Sequence, residues 1–326
     1  MNATQSENQE GLPRYRYGIS AMSGLRHICG VLLAFACLLP MLPVYASSIL
    51  LINSADAPIY HEVEDAFRAE AESLCAGSDE CPQIGSILAQ DLTDESARDH
   101  DVLVFVGQQA KSRANSLTID VPQLHLLVFR EEYEKQAQCC DRTSAIYIEQ
   151  PMERQLRFIR LLLPELRRIA VLIGPGSFTR ESELLSLARG MGLEVELRRV
   201  ASQRDIGPVL HQLRNEADIL LALPDPGIYN HDTLSNILLS TYRNRIPVIG
   251  FSKGLVRAGA LAAIYSSPET IGKEAAGKAL QMMRGRSPDG AYPQHAEFTL
   301  NRKVARSLHI QIPTDDALRA HWGKKR

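Results

Sequence analysis

From Ser48 onward the chain alternates short apolar runs with stretches whose apolar residues recur every three or four positions. Ser48–Asn53 (SILLIN), Val102–Val106 (VLVFV), Arg168–Ile173 (RIAVLI) and residues 218–223 (DILLAL) have strand length. Residues 82–88, 122–129, 194–200, 247–251 and 259–265 read as further strands. Between them, residues 60–74 carry Val63, Phe67, Ala71 and Leu74 on one helical face, and residues 151–163, 179–191, 205–217, 232–244 and 268–284 supply more helices. A strand that is apolar on both faces has no solvent side, so it belongs in a parallel sheet covered by helices above and below. The rhythm runs once to Gln150 and restarts at Pro151. The prediction is an α/β protein of two doubly wound parallel-sheet lobes joined by a hinge. In such sheets ligands meet the loops at the carboxyl ends of the strands.

At 326 residues and 45% hydrophobic content there is enough chain for two cores, which excludes a disordered tail or a coiled coil. Lys+Arg number 36 against 38 Asp+Glu, and a formal charge of −2 does not suit a nucleic-acid partner. Residues 28–42 (ICGVLLAFACLLPML) follow Arg26 and are broken by Pro40, and Val44-Tyr45-Ala46 offers a small-x-small cleavage site. This pattern predicts a signal peptide over residues 1–46, removed near Ala46 to leave a periplasmic chain, with an uncleaved anchor as the alternative. The stretch ahead of Met22 is long for a leader, so translation starting at Met1 or at Met22 both fit. Beyond the leader four cysteines remain, Cys75, Cys81, Cys139 and Cys140, which allow three pairings. Cys75 and Cys81 bracket a short turn, so a local disulfide is the simplest reading. Cys139 and Cys140 read as a vicinal pair, as free thiols or as partners of the first two. The spacing is not that of a zinc site.

No catalytic motif stands in the chain: His61-Glu62 lacks the second histidine of H-E-x-x-H, and there is no G-x-S-x-G or phosphate-binding loop. Gly174-Pro-Gly176 has Thr179 where a dinucleotide fingerprint needs a third glycine. Ser177 and Thr179 there read either as partners for an anion or as plain helix caps. No enzyme, cofactor or metal is expected. Loops that follow strands, at 53–56, 107–109, 129–130, 225–229 and 251–253, are expected to converge on one cleft. The candidate ligand-binding residues are Asp56, Gln108, Arg130, Phe178, Asp225, Tyr229 and Phe251. Arg130 suits a carboxylate or phosphate held bidentately. Asp225 suits an amine, although Asp225-Pro-Gly227 reads equally as a turn.

Ile246-Pro-Val-Ile-Gly-Phe251, Val256-Arg-Ala-Gly-Ala-Leu261 and Ile271-Gly-Lys-Glu-Ala-Ala-Gly-Lys-Ala-Leu280 follow one another in a recognisable order. Gly285-Arg-Ser-Pro288, Leu300-Asn-Arg-Lys-Val-Ala305 and Ile310-Gln-Ile-Pro313 close the series. Together they resemble the substrate-binding proteins of ABC transporters with the type I periplasmic-binding-protein fold, in the branch that includes aromatic-amino-acid binding proteins. The likeness is strongest over residues 155–313. It implies three crossovers, with a first lobe of residues 47–150 plus 267–293 and a second of residues 151–266 plus 294–326. It also implies a small-molecule ligand and an ABC permease as partner, or a membrane sensor protein bound by the same clamp. The first lobe departs from the pattern. Arg130-Glu-Glu-Tyr133 replaces the family's Asp-Pro loop, and Gln108-Gln-Ala110 replaces its Thr-Pro-Ala, so the cleft there is divergent.

Overall fold

A computed structural model describes residues 47–77, 81–118, 120–137, 142–177, 179–286 and 288–322. The first series of elements is β1 (Ser48–Asn53), α1 (Pro58–Cys75), β2 (Gln83–Leu88), α2 (Asp94–Arg98), β3 (Val102–Val106), α3 (Gln108–Ala114), β4 (Gln123–Val128), α4 (Arg130–Ala137) and β5 (Thr143–Tyr147). The second is α5 (Met152–Leu162), β6 (Arg168–Ile173), α6 (Glu181–Gly190), β7 (Glu194–Arg199), α7 (Ile206–Gln212), β8 (Ile219–Leu221), α8 (Leu234–Arg243), β9 (Val248–Gly250), α9 (Lys253–Ala258) and β10 (Ala262–Tyr265). The chain closes with α10 (Pro268–Met283), β11 (Glu297–Leu300), α11 (Arg302–Ser307) and α12 (Asp315–Trp322).

The strands form two sheets, in the orders β2-β1-β3-β4-β5 and β7-β6-β8-β9-β10-β11. All neighbours are parallel except β10 with β11. Both sheets therefore wind outward from their first strand, and each has a switch point where the order reverses: between β1 and β3, and between β6 and β8. The apolar runs explain why. Successive side chains of a strand point to opposite faces, so Ile49, Leu51, Val104 and Val106 pack under α1 while Leu50, Ile52, Leu103 and Phe105 pack on the other face. In the second sheet Ile169 and Val171 face α5, while Ala170 and Leu172 face α7 and α8.

Helix α10 follows a strand of the second sheet, yet it packs on the first. Its Ile271, Ala275, Ala276 and Ala279 join Val63, Phe67 and Ala71 of α1 in one core. The approach is close: a Cβ on Gly272 would lie 2.3 Å from the Val63 carbonyl oxygen and 3.1 Å from the Phe67 nitrogen. Lys278 then ties α10 to β5, its Nζ donating to Ser144 Oγ at 3.0 Å. The chain thus passes between the sheets three times, and the three passages are bonded together. Arg154 Nη1 donates to Gln150 Oε1 (2.7 Å) and to the Pro293 carbonyl (2.8 Å), and Gln150 Nε2 donates to Ser266 Oγ (2.9 Å). Glu274 of α10 accepts from the backbone nitrogens of Gln294 and His295, each at 2.9 Å.

Several local expectations change. Residues 130–137, read as a rewritten loop, form α4, a polar helix held by the i,i+4 pairs Arg130–Glu134 (2.7 Å) and Glu131–Lys135 (3.0 Å). Strand β5 was not foreseen, because its five residues include a polar pair, Thr143-Ser144, and leave a short apolar run. The strand expected over 259–265 begins only at Ala262, since Gly259 (φ 132°) ends α9 in a conformation that favours glycine. Cys75 and Cys81 form a disulfide with a Cα–Cα distance of 5.3 Å. The leader, Cys139, Cys140 and Phe178 lie outside the described residues. Among the described residues no helix is long and apolar enough to cross a membrane.

Replacing Gly272 with alanine drives a methyl group into the α1 backbone. Overpacking of this kind costs about 1–3 kcal/mol, so the G272A protein is expected to unfold at lower urea concentration than the wild type. An unchanged midpoint would mean that α10 and α1 do not approach as described.

Candidate ligand-binding cleft

The carboxyl ends of both sheets face each other across a polar cleft. At its floor lies a cavity of about 30 Å3 lined by Phe129, Arg130, Glu131, Glu149 and Tyr292 from one side and by Met152, Gln155, Thr179, Arg180, Glu183, Leu223 and Pro224 from the other. That volume admits a water or two, against the roughly 300–1,000 Å3 of a ligand pocket. Beside it, sharing Glu131, Thr179, Arg180 and Glu183, is an open groove of about 730 Å3.

Arg130 is placed by a backbone irregularity. The register of β4 against β5 shifts between Leu126 and Val128, and Leu127 takes φ 57°. A bulge re-aims the chain that follows it, and here it turns Phe129 and Arg130 out of the sheet and into the cleft. The Arg130 guanidinium then makes four contacts. Its Nε donates to Glu134 (2.7 Å), its Nη1 donates to the Tyr292 hydroxyl (3.2 Å) and lies 3.7 Å from Glu183, and its Cζ sits 5.4 Å from the Tyr292 ring centre. The hydrogen bonds to Glu134 and then to Tyr292 push its pKa further up, so it stays charged. Behind it an aromatic series runs into the first sheet: Tyr292 on Tyr147, Tyr147 on Tyr133, Tyr133 on His125, His125 on Phe105. Burial, and then the nearby charge of Lys111, hold His125 neutral, with its pKa lowered to about 3.

From the other lobe, Arg180 at the start of α6 pairs with Glu134. Burial works against the ionised Glu134, but hydrogen bonds and charges from Arg130 and Arg180 outweigh it and hold its carboxyl below the usual range. Arg180–Glu134 and Arg130–Glu183 thus run in opposite senses across the cleft. Beneath them, Glu149 Oε1 accepts from the Arg130 backbone nitrogen at 2.8 Å, while its Oε2 is buried without a hydrogen-bond partner among the described residues. Burial pushes the Glu149 carboxyl up to about 7, and the hydrogen bond and the arginine charges only partly oppose this.

The residues singled out from the sequence are dispersed. Arg130 lines the cavity. Asp56 is exposed and paired with His61 at 2.6 Å, and Gln108 is bonded to Glu132 beside it. Asp225 is buried, and its carboxylate accepts from the Gly174 nitrogen (3.1 Å) and the Gly227 nitrogen (2.9 Å), so its geometry is that of the turn reading. Tyr229 and Phe251 pack edge to face, 6.0 Å apart, against the second lobe's core. The Tyr229 hydroxyl is buried without a partner among the described residues, and burial, then the charge of Asp225, push its pKa up. Ser177 and Thr179 bond to each other at 3.0 Å. Sequence reading missed Glu149, Arg180, Glu183 and Tyr292. The available signal was a lone carboxylate directly after the apolar run Ala145-Ile-Tyr-Ile148 and just before a lobe passage.

Two wound lobes, three bonded passages and a charged cleft between the strand ends define a two-lobed binding protein of the type I periplasmic-binding-protein fold. Residues 142–321 match the family described as ABC transporter substrate binding protein, and the chain belongs to that family. A tyrosine-binding protein of Clostridioides difficile (strain R20291) is 22% identical over 175 residues, 52% of this chain and 50% of that protein. The chain therefore spans about half the length of the curated relative it matches. Among solved structures, the ligand-free, open form of a Clostridium difficile substrate binding protein with adhesive properties superposes with a TM-score of 0.69 at 17% identity, covering 83% of this chain and 97% of the other. The ABC domain in complex with L-Trp from Streptococcus pneumonia gives a TM-score of 0.60 at 17% identity over 84% and 97%. A conserved domain protein of Vibrio cholerae gives a TM-score of 0.60 at 18% identity over the same shares. The expected fold and family are borne out.

Glu149 makes stability pH-dependent in a definite sense. Its carboxyl titrates at about 7 in the folded protein against 4.5 for an unperturbed glutamate. Between those values the folded state holds a proton that the unfolded state has released, so stability is present at low pH and falls as pH rises through 7. Glu149→Gln removes that loss. It is expected to gain up to roughly 3 kcal/mol over wild type above neutrality, shrinking to nothing near pH ~4.5, in urea unfolding at a series of pH values. A pH-independent difference would contradict the assignment.

Proposed function

We propose that this protein is an exported, periplasmic solute-binding protein that closes two lobes on a small ligand and presents the closed form to an ABC-type importer. The observation that carries this reading is the reciprocal pairing of Arg130 with Glu183 and of Arg180 with Glu134 over a cavity that both lobes line. For a ligand to enter, both pairs part and the lobes swing about the three passages. For a ligand to be held, its polar groups take up the contacts that the pairs relinquish. A ligand that meets both lobes binds the closed form better than the open one and shifts the population toward it. The tyrosine-binding relative and the L-Trp complex support a ligand of amino-acid size. Arg130 and Glu149 are its first-lobe contacts and Arg180 its second-lobe contact. The Tyr292 ring is a face against which it packs.

A second reading has one observation in its favour. A cavity of only about 30 Å3 beside an open groove suits a clamp that recognises a membrane sensor protein by surface rather than by a bound solute.

A thermal-shift screen of amino acids, polyamines, nucleosides, sugars and small carboxylates separates the two. A ligand present at 100 times its Kd adds about 2.7 kcal/mol, a rise of several degrees in Tm for a chain of this size. The solute-binding reading expects such a rise in at least one class and its loss in Arg130→Ala. A flat screen would favour the partner-binding clamp.

A further inference from the structure

We infer that the cleft selects a ligand carrying a protonated amine, and that Glu149 is the counter-ion of that amine. This rests on the solute-binding reading and specifies its chemistry. Among the described residues the charges around the cleft cancel pair by pair until one carboxylate is left. Glu131 is paired with Lys135 at 3.0 Å and Glu181 with Arg199 at 2.8 Å. Glu134 is shared between Arg130 and Arg180, and Glu183 faces Arg130. Both cleft arginines are therefore already engaged by carboxylates of the protein. Among the described residues no side chain donates to Glu149. One oxygen rests on a backbone N–H, and the other is buried and unpartnered among the described residues.

A carboxylate on a ligand has to displace Glu134 or Glu183 before it can reach an arginine. Once the pairs have parted, an ammonium group takes the place of neither carboxylate: it meets a buried acceptor whose hydrogen bond is otherwise unmade, where a charge-assisted bond is strong. The Tyr292 ring, edge-on to Tyr147 and already carrying the Arg130 guanidinium on its face, lines the same cavity. The groups that face Glu149 are Arg130 of α4, Tyr147 of β5, Arg180 ahead of α6, Tyr292 after α10, and the cavity-lining Glu131 and Glu183. With no ligand, this surrounding leaves Glu149 half protonated near neutrality. An arriving ammonium favours the carboxylate, so binding below neutrality releases a proton.

The test uses matched trios on three skeletons, each an amino acid, its decarboxylated amine and its deaminated acid. They are L-tyrosine, tyramine and 3-(4-hydroxyphenyl)propionate; L-tryptophan, tryptamine and indole-3-propionate; L-leucine, isopentylamine and 4-methylpentanoate. Titration calorimetry is expected to show at least one skeleton whose amine binds while its deaminated acid does not. Glu149→Gln is expected to weaken that amine about 10- to 100-fold. In wild type near pH ~6, buffers of different ionisation heat are expected to reveal release approaching one proton per amine bound. This readout decides the matter even if the variant does not fold. A deaminated acid that binds as tightly as its amine, or amine binding with no proton released, overturns the inference and leaves the solute-binding reading standing. No binding by any of the nine overturns the inference, and the wider thermal-shift screen then decides the solute-binding reading.

Discussion

The return of α10 to the first lobe governs the rest of the structure. Because Gly272 lets this helix lie against the α1 backbone, the chain has to leave the first sheet, build the second, come back and leave again. Three passages side by side can bend but cannot easily slide or twist, and Arg154, Gln150, Ser266 and Glu274 bond them into one unit. Glu149 stands one residue ahead of Gln150, so the buried carboxylate of the cleft sits on the first of these passages.

Magnitudes decide which parts move. The central strands of each sheet are sandwiched between apolar layers and almost wholly buried, and a single such apolar side chain contributes about 1.5–3 kcal/mol. The cleft is closed by ion pairs whose side chains keep a quarter to more than a third of their surface exposed, and pairs of that kind are worth about 0–1 kcal/mol each. The lobes are stiff and the contact between them is weak. Binding at micromolar affinity corresponds to about 8 kcal/mol, more than two partly exposed ion pairs supply.

Much of this was legible in the sequence. The fully apolar runs at β1, β3 and β6 identified parallel sheets, and the restart of the rhythm at Pro151 identified a second lobe. The site was less legible, for physical reasons. Asp225 looked like a ligand group because it follows a strand, but backbone nitrogens of Gly174 and Gly227 satisfy its carboxylate. Asp56 and Gln108 also follow strands, yet they found partners in His61 and Glu132. Arg130 was visible from its position alone. Glu149 was marked only as a lone carboxylate after an apolar run; what sets it apart is burial without a hydrogen-bond partner among the described residues, a property of the assembled lobes that local sequence does not carry.

The most direct measurement of the central claim is small-angle X-ray scattering on the purified, ligand-free protein and on its Arg130→Ala, Arg180→Ala double variant. If reciprocal ion pairs hold two stiff lobes together over a bonded set of passages, the variant has a larger radius of gyration with unchanged secondary structure. Superimposable scattering curves would contradict it, because the lobes would then be held by something other than the charges that face each other across the cleft.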